Sequence, residues 1–223
     1  MIQAVIFNLD GVLIASDQCH YQAWKALAYE QGVPFNDEIY RRMRGMKRMN
    51  SLRVLLKRAE RKYTPGEMWA LSARKNDLFN ELTDQLSPAD SILPGAADTL
   101  NALRRMGVKT AVASSSENAT GILRQLKMDA LLDAIVDGSQ IQQGKPDPEA
   151  FLLAARQLSI PTSDCLAVEN TESGVAAAQA AGIKVIPLGN VQKGAPNTLL
   201  ELQLPERIAE GAEGIESILA PRG

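Results

Sequence analysis

Four apolar residues in succession, Ala4 to Phe7, run straight into the polar turn Asn8-Leu9-Asp10-Gly11. An unbroken apolar run of strand length is the pattern of a strand buried on both faces, as at the centre of a parallel sheet. Asn8 and Asp10 are two apart, so an extended chain points them the same way. Gly11 lets the backbone turn where a Cβ would crowd it. Such a strand delivers an amide and a carboxylate to the carboxyl end of a sheet, where open α/β folds bind ligands. Asn, Asp and Gly are also ordinary turn formers, and an unremarkable strand-end turn fits this stretch equally well.

Buried strands of the same kind recur. Val108–Ala113 leads into Ser114-Ser115-Ser116 and Asn118, Ala134–Val136 precedes Gly144-Lys145-Pro146-Asp147-Pro148, and Cys165–Val168 leads into Glu169-Asn170-Thr171-Glu172-Ser173-Gly174. A fifth begins within Ile183–Pro187. Hydroxyls and backbone N–H groups where a strand meets a helix make an anion site, although a Ser-rich helix cap gives the same pattern. Lys145 alone in its loop reads as a surface residue, held extended by the following proline.

Between the first strand and the rest, the period changes to that of helices. Cys19, Trp24, Leu27 and Ala28 share a helical face, and Gly32-Val33-Pro34 ends that element. Residues 35–86 read as helical throughout, with Asp37 and then Asn50 or Ser51 as expected caps and Thr64-Pro65-Gly66-Glu67 as another helix start. His20 is the only histidine, and a lone helical His is more often packed than catalytic. Residues 41–62 hold ten basic side chains and one acid, Glu60. A nucleic-acid surface is one reading, but a solvated helical face is the commoner one, and Arg48 offers a planar fork suited to phosphate.

At 223 residues, 45% hydrophobic and 22% charged, the chain suits one α/β domain with a small insert. A formal charge of −2 gives no overall bias toward nucleic acid. Cys19 and Cys165 have no paired spacing and read as free thiols in a reducing compartment. No apolar run approaches the roughly 18 residues of a membrane span, and no basic leader precedes the first strand. The expectation is a cytoplasmic monomer that acts on a small molecule, with no nucleic-acid or membrane partner.

Phe-Asn-Leu-Asp-Gly-Val-Leu resembles the first motif of the haloacid dehalogenase-like phosphotransferases, Asp-x-Asp-Gly-Val, with Asn8 standing at the nucleophile position. The second, third and fourth motifs follow in family order at Ser114, at Gly144-Lys145-Pro146-Asp147-Pro148 and at Glu169-Asn170, where Asn170 replaces an Asp. Arg44-Gly45-x-x-Arg48-x-x-Ser51-Leu52, Ala73-Arg74-Lys75-Asn76-Asp77 and the Ser114–Asn118 loop are similar to the beta-phosphoglucomutase branch. That branch has Lys where this chain has Glu117, so either an anion sits beside the phosphate or the side chain points outward.

The resemblance implies a Rossmann-like α/β parallel-sheet core, residues 1–15 and 88–223, with a helical cap at 16–87 inserted after the first strand. It implies a mutase that interconverts beta-glucose 1-phosphate and glucose 6-phosphate through an aspartyl phosphate and a bound bisphosphate. The catalytic positions would be Asn8, Asp10, Ser114 and Lys145, and Mg2+ would sit at Asn8, Asp10, Glu169 and Asn170. His20, Trp24, Gly45, Arg48, Lys75, Ser115, Ser116 and Asn118 would bind the sugar phosphate. Asn8 offers no carboxylate nucleophile, and two anions remain at the metal positions where the family has four, so impaired turnover and weak Mg2+ binding are expected. The competing readings are an altered copy of a working mutase, a non-catalytic sugar-phosphate-binding relative, and a phosphatase of the same superfamily.

Overall fold

The computed structural model describes residues 2–217 and 219. Its centre is a five-stranded parallel sheet of order β3-β2-β1-β4-β5: β1 (Ala4–Phe7), β2 (Lys109–Ala113), β3 (Ala134–Val136), β4 (Cys165–Glu169) and β5 (Lys184–Pro187). β1 is flanked on both sides, Ile6 pairing with Ala111 of β2 and Ala167 of β4. Every residue of β1 is buried, as its unbroken apolar run requires. After β1 the chain lays down β2 and β3 on one side, then crosses back to β4 and β5 on the other. The reversal falls beside β1 and opens a crevice at the strands' carboxyl ends.

The period-2 alternation separates two cores. Val5, Phe7, Val112, Val168 and Ile186 face one layer, against Leu100 and Leu103 of α6 (Ala96–Arg105) and Leu123 of α7 (Ala119–Gln125). Ala4, Ile6, Ala111, Ala113 and Ala167 face the other, against α8 (Glu149–Leu158) and α9 (Glu172–Ala180). Alanines on that face let α8, through Phe151 and Ala154, and α9, through Ala177, approach the sheet. Three short helices, α10 (Leu199–Leu202), α11 (Leu204–Ala209) and α12 (Ala212–Glu216), close the first layer.

Between β1 and α6 lie α1 (Asp17–Glu30), α2 (Asp37–Met43), α3 (Arg48–Leu56), α4 (Pro65–Thr83) and the single turn α5 (Pro88–Ser91). Trp24, Leu27, Ile39, Tyr40, Met43, Leu52 and Leu55 form a third apolar cluster there. Ala23 of α1 and Phe79 of α4 join the sheet's cluster instead, so the two long helices root the insert on the core. Thr64 starts α4 as expected and forms a capping box, its side chain accepting from Glu67 N while the Glu67 side chain accepts from Thr64 N.

Two caps differ from expectation. Asn36, not Asp37, caps α2: its extended backbone lets Oδ1 accept from Ile39 N at 3.0 Å, and Asp37 falls in the first turn, where its charge faces the helix dipole. α3 starts at Arg48 after Lys47, ahead of Asn50 and Ser51, because Lys47 is extended and its carbonyl accepts the first helical bonds. Among the described residues, no helix is long and apolar enough to cross a membrane.

Candidate active site

At the end of β1, Asn8 is buried and its amide is fully engaged. Lys145 Nζ donates to Oδ1 at 3.0 Å, while Nδ2 donates to Asn170 Oδ1 at 2.9 Å and to the Asp10 carbonyl at 3.2 Å. Lys145 is 1% exposed, not a surface residue, and its other two protons go to Glu169 Oε1 at 2.5 Å and the Ala113 carbonyl at 2.9 Å. Glu169 Oε2 accepts from Asn170 N at 2.8 Å, and from Thr171 N and the Thr171 hydroxyl at 3.0 Å each. A closed polar network of this kind holds its members in one geometry.

Two glycines make room for it. A Cβ on Gly174, in the first turn of α9, would lie 1.9 Å from Glu169 Oε1. A Cβ on Gly11, whose φ is +75°, would lie 2.2 Å from Asn170 Nδ2.

Asp10 accepts a hydrogen bond from the Ser16 hydroxyl, and its Oδ2 lies 3.6 Å from His20 Nε2. Burial pushes the Asp10 carboxyl up, but His20, Ser16 and Lys75 together outweigh it and hold the group at about 2. Asp10 is therefore a carboxylate at neutral pH. His20 stacks on Phe79 with ring centroids 4.0 Å apart and sets Nδ1 2.7 Å from Lys75 Nζ. Burial first, then the charge of Lys75, lower the imidazole below its usual range. Burial also brings the Lys75 ammonium down to about 7, with Arg48 adding repulsion and Asp10 opposing it.

The loop after β2 forms the facing wall. Ser114 Oγ accepts from Ser116 N at 3.1 Å, and Ser115 Oγ accepts from Lys145 N at 3.2 Å. Asn118 Nδ2 donates to Asn76 Oδ1 of α4 at 2.8 Å. Glu117 pairs with Arg48 of α3, turned toward the insert rather than outward. The seam is tied further by Lys47 Nζ on the Ile141 carbonyl at 2.7 Å, Ser173 Oγ on the Arg44 carbonyl at 2.8 Å, and Arg44 Nη1 on the Asn170 carbonyl at 3.2 Å.

One pocket between sheet and insert is lined by Asn8, Asp10, His20, Trp24, Gly45, Arg48, Lys75, Ser114, Ser115, Ser116 and Asn118. Lys145 and Glu169 lie one layer beneath, reaching the pocket through Asn8, and Asn170 opens onto a neighbouring cleft with Asp17 and Arg44. Sequence reasoning gave no role to Ser16, the Ala113 carbonyl, Arg44 or Asn76. Ser16 and the carbonyl carry no local signal; Arg44 and Asn76 sat inside recognised runs, but their partners are set by how the insert closes.

At the positions expected to hold magnesium, Asn8 Oδ1, Asn170 Oδ1 and both Glu169 oxygens accept hydrogen bonds from protein donors, and Asp10 is the one carboxylate of the set on the pocket wall. Among the described residues no group of three or more His, Cys, Asp or Glu side chains is arranged to hold a metal. Magnesium favours carboxylates, water and substrate phosphate.

A parallel sheet with a helical insert after its first strand, and a polar pocket where the strand order reverses, defines a Rossmann-like α/β fold with a ligand crevice at its switch point. The profile of the haloacid dehalogenase-like hydrolases matches residues 2–182, and the chain belongs to that family. It is 39% identical over 193 residues to the beta-phosphoglucomutase of Bacillus subtilis, covering 86% of this chain and 85% of that protein. It is 30% identical over 188 residues to a phosphorylated carbohydrates phosphatase of Thermotoga maritima, covering 83% and 84%. Its structure matches that of the beta-phosphoglucomutase of Clostridium difficile with a TM-score of 0.87 at 28% identity, over 97% of this chain and 98% of the other. The chain thus falls in the beta-phosphoglucomutase branch, among phosphotransferases and phosphatases of sugar phosphates.

Proposed function

We propose that this chain binds a sugar phosphate on the template of a beta-phosphoglucomutase, the enzyme type that interconverts beta-glucose 1-phosphate and glucose 6-phosphate through an aspartyl phosphate, and that its own phosphoryl transfer is impaired. The observation that carries this reading is the state of residue 8. Attack on phosphorus needs a carboxylate there. Asn8 presents a neutral amide, its oxygen held by Lys145 and its nitrogen by Asn170. Asp10 is ionised and able to accept a proton from a sugar hydroxyl, as a general base must. His20, Trp24, Gly45, Arg48, Lys75, Ser115, Ser116 and Asn118 would surround the sugar phosphate, with Ser114 at its phosphoryl end. Mg2+ affinity would be weak, since Asn8 and Asn170 contribute no charge. The free thiols of Cys19 and Cys165 support a reducing, cytoplasmic setting.

A phosphatase is the second reading, favoured by the Thermotoga relative. One assay separates them. Beta-glucose 1-phosphate, magnesium and a bisphosphate primer are given to the wild-type chain and to the Asn8→Asp/Asn170→Asp variant, and glucose 6-phosphate is followed. The wild type should be inert and the variant active. A variant that is inert yet binds the sugar phosphate indicates a protein whose role is binding alone. Release of inorganic phosphate from many esters indicates the phosphatase. Turnover by the wild type would refute the proposal.

A further inference from the structure

The insert brings one guanidinium to the loop after β2: Arg48, at the start of α3, beside Ser116 and Asn118 on the pocket wall. A planar fork next to a hydroxyl and an amide is a seat for an anion. In this chain the seat holds the protein's own carboxylate, because Glu117 projects from the same loop and pairs with Arg48. The charges on the pocket wall are then largely paired off: Asp17 holds Arg44 at 3.1 Å and Glu117 holds Arg48, with Asp10 and Lys75 also on the wall. Lys145 beneath is matched by Glu169. A ligand bearing a phosphate at each end would have to displace Glu117 to reach Arg48, leaving two anions beside one guanidinium. A ligand with one phosphate and a hydroxyl-bearing far end faces no such cost, since hydroxyls can donate to the Glu117 carboxylate.

We infer that Glu117 is a specificity-determining residue: by occupying Arg48 it confines the pocket to sugar monophosphates and disfavours sugar bisphosphates. This rests on the sugar-phosphate reading above and deepens it. In the Asn8→Asp/Asn170→Asp variant, Glu117 would raise the concentration of bisphosphate primer needed for turnover without abolishing it.

Calorimetric titration of the full chain with glucose 6-phosphate and with glucose 1,6-bisphosphate tests it, on the wild type and on Glu117→Gln and Glu117→Ala. Glu117 is on an exposed loop, and circular dichroism checks that each variant is folded. The wild type should bind the bisphosphate no tighter than the monophosphate. Both variants should shift that ratio at least about tenfold toward the bisphosphate, and adding Arg48→Met should abolish the shift. Binding of both ligands with a ratio that neither variant moves overturns the role of Glu117 and leaves the sugar-phosphate reading standing. No binding of either ligand to any of the chains overturns that reading, and the role of Glu117 with it.

Discussion

The two asparagines are the residues on which the chemistry turns. Asn8 Nδ2 donates directly to Asn170 Oδ1 at 2.9 Å, so two neutral side chains satisfy each other. Carboxylates at both positions would repel at that distance unless one took a proton or a cation intervened. The wild type should therefore show no shift in melting temperature on adding magnesium. Asn8→Asp/Asn170→Asp should melt lower in chelator and recover with magnesium, as expected of an ion that binds the folded state alone. A wild-type melting temperature that rises with magnesium would contradict the closed amide pair.

Lys75 gives a second prediction. Its folded value of about 7 lies below the ordinary 10.5, so between those values the unfolded chain binds a proton that the folded chain does not. Stability then falls as pH drops from about 10 toward 7 and levels off below. From pH 9 to pH 7 the contribution amounts to roughly 2 kcal/mol. Urea denaturation of wild type and Lys75→Met at both values should show the wild type losing about that much relative to the variant. An equal difference at the two pH values would mean that Lys75 stays charged in the fold. At this scale Asn8, Asp10, Ser114 and Glu169 could be named because each ends a buried strand, whereas Lys145, alone in its loop, reads as a surface residue and only the resemblance pointed to it. The direction of Glu117 could not be read, because its partner lies 69 positions away on the insert.

Among the elements, β1 was legible because burial on both faces leaves an unbroken apolar run, and α4 because Thr64, Pro65 and Glu67 form a complete local start signal. The starts of α2 and α3 were missed for the same physical reason in reverse. Asn36 and Asp37 are adjacent and both able to cap, and only the extended backbone of Asn36 decides between them. At α9 the turn is fixed by close packing rather than by propensity. Gly174→Ala would drive a methyl group into the Glu169 carboxylate, 1.9 Å away. Overpacking of this sort costs about 1–3 kcal/mol, and here it would also disturb the hold of Glu169 on Lys145. Thermal melts of Gly174→Ala should show a drop of several degrees, whereas Thr64→Ala, at the exposed start of α4, should lose about 1 kcal/mol and leave ligand binding unchanged. A Gly174→Ala variant as stable as the wild type would show that α9 can move off Glu169.

Over the whole molecule, the run of buried strands and the presence of a helical insert could be anticipated, because each follows from a run of residues and its neighbours. The way the insert closes on the sheet could not, because it is made by pairs far apart in the chain. Ser173 on the Arg44 carbonyl, Asn118 on Asn76 and Lys47 on the Ile141 carbonyl each join one side of the pocket to the other. These bonds are made by the protein's own groups across the seam, so each adds to the closed arrangement. A neutral hydrogen bond contributes about 1 kcal/mol net. Removing two of them, in Ser173→Ala/Asn76→Ala, should favour the open form by about 2 kcal/mol, or roughly thirtyfold in population. Amide hydrogen exchange at residues 44–48 and 116–118 should quicken by that order, while exchange in β1 and β4 stays slow, since the sheet is untouched. A saturating sugar phosphate that bridges insert and sheet should restore the slow exchange. If the seam exchanges no faster in the variant, closure is held by the packing of α1 and α4 on the core through Ala23 and Phe79, not by these polar pairs.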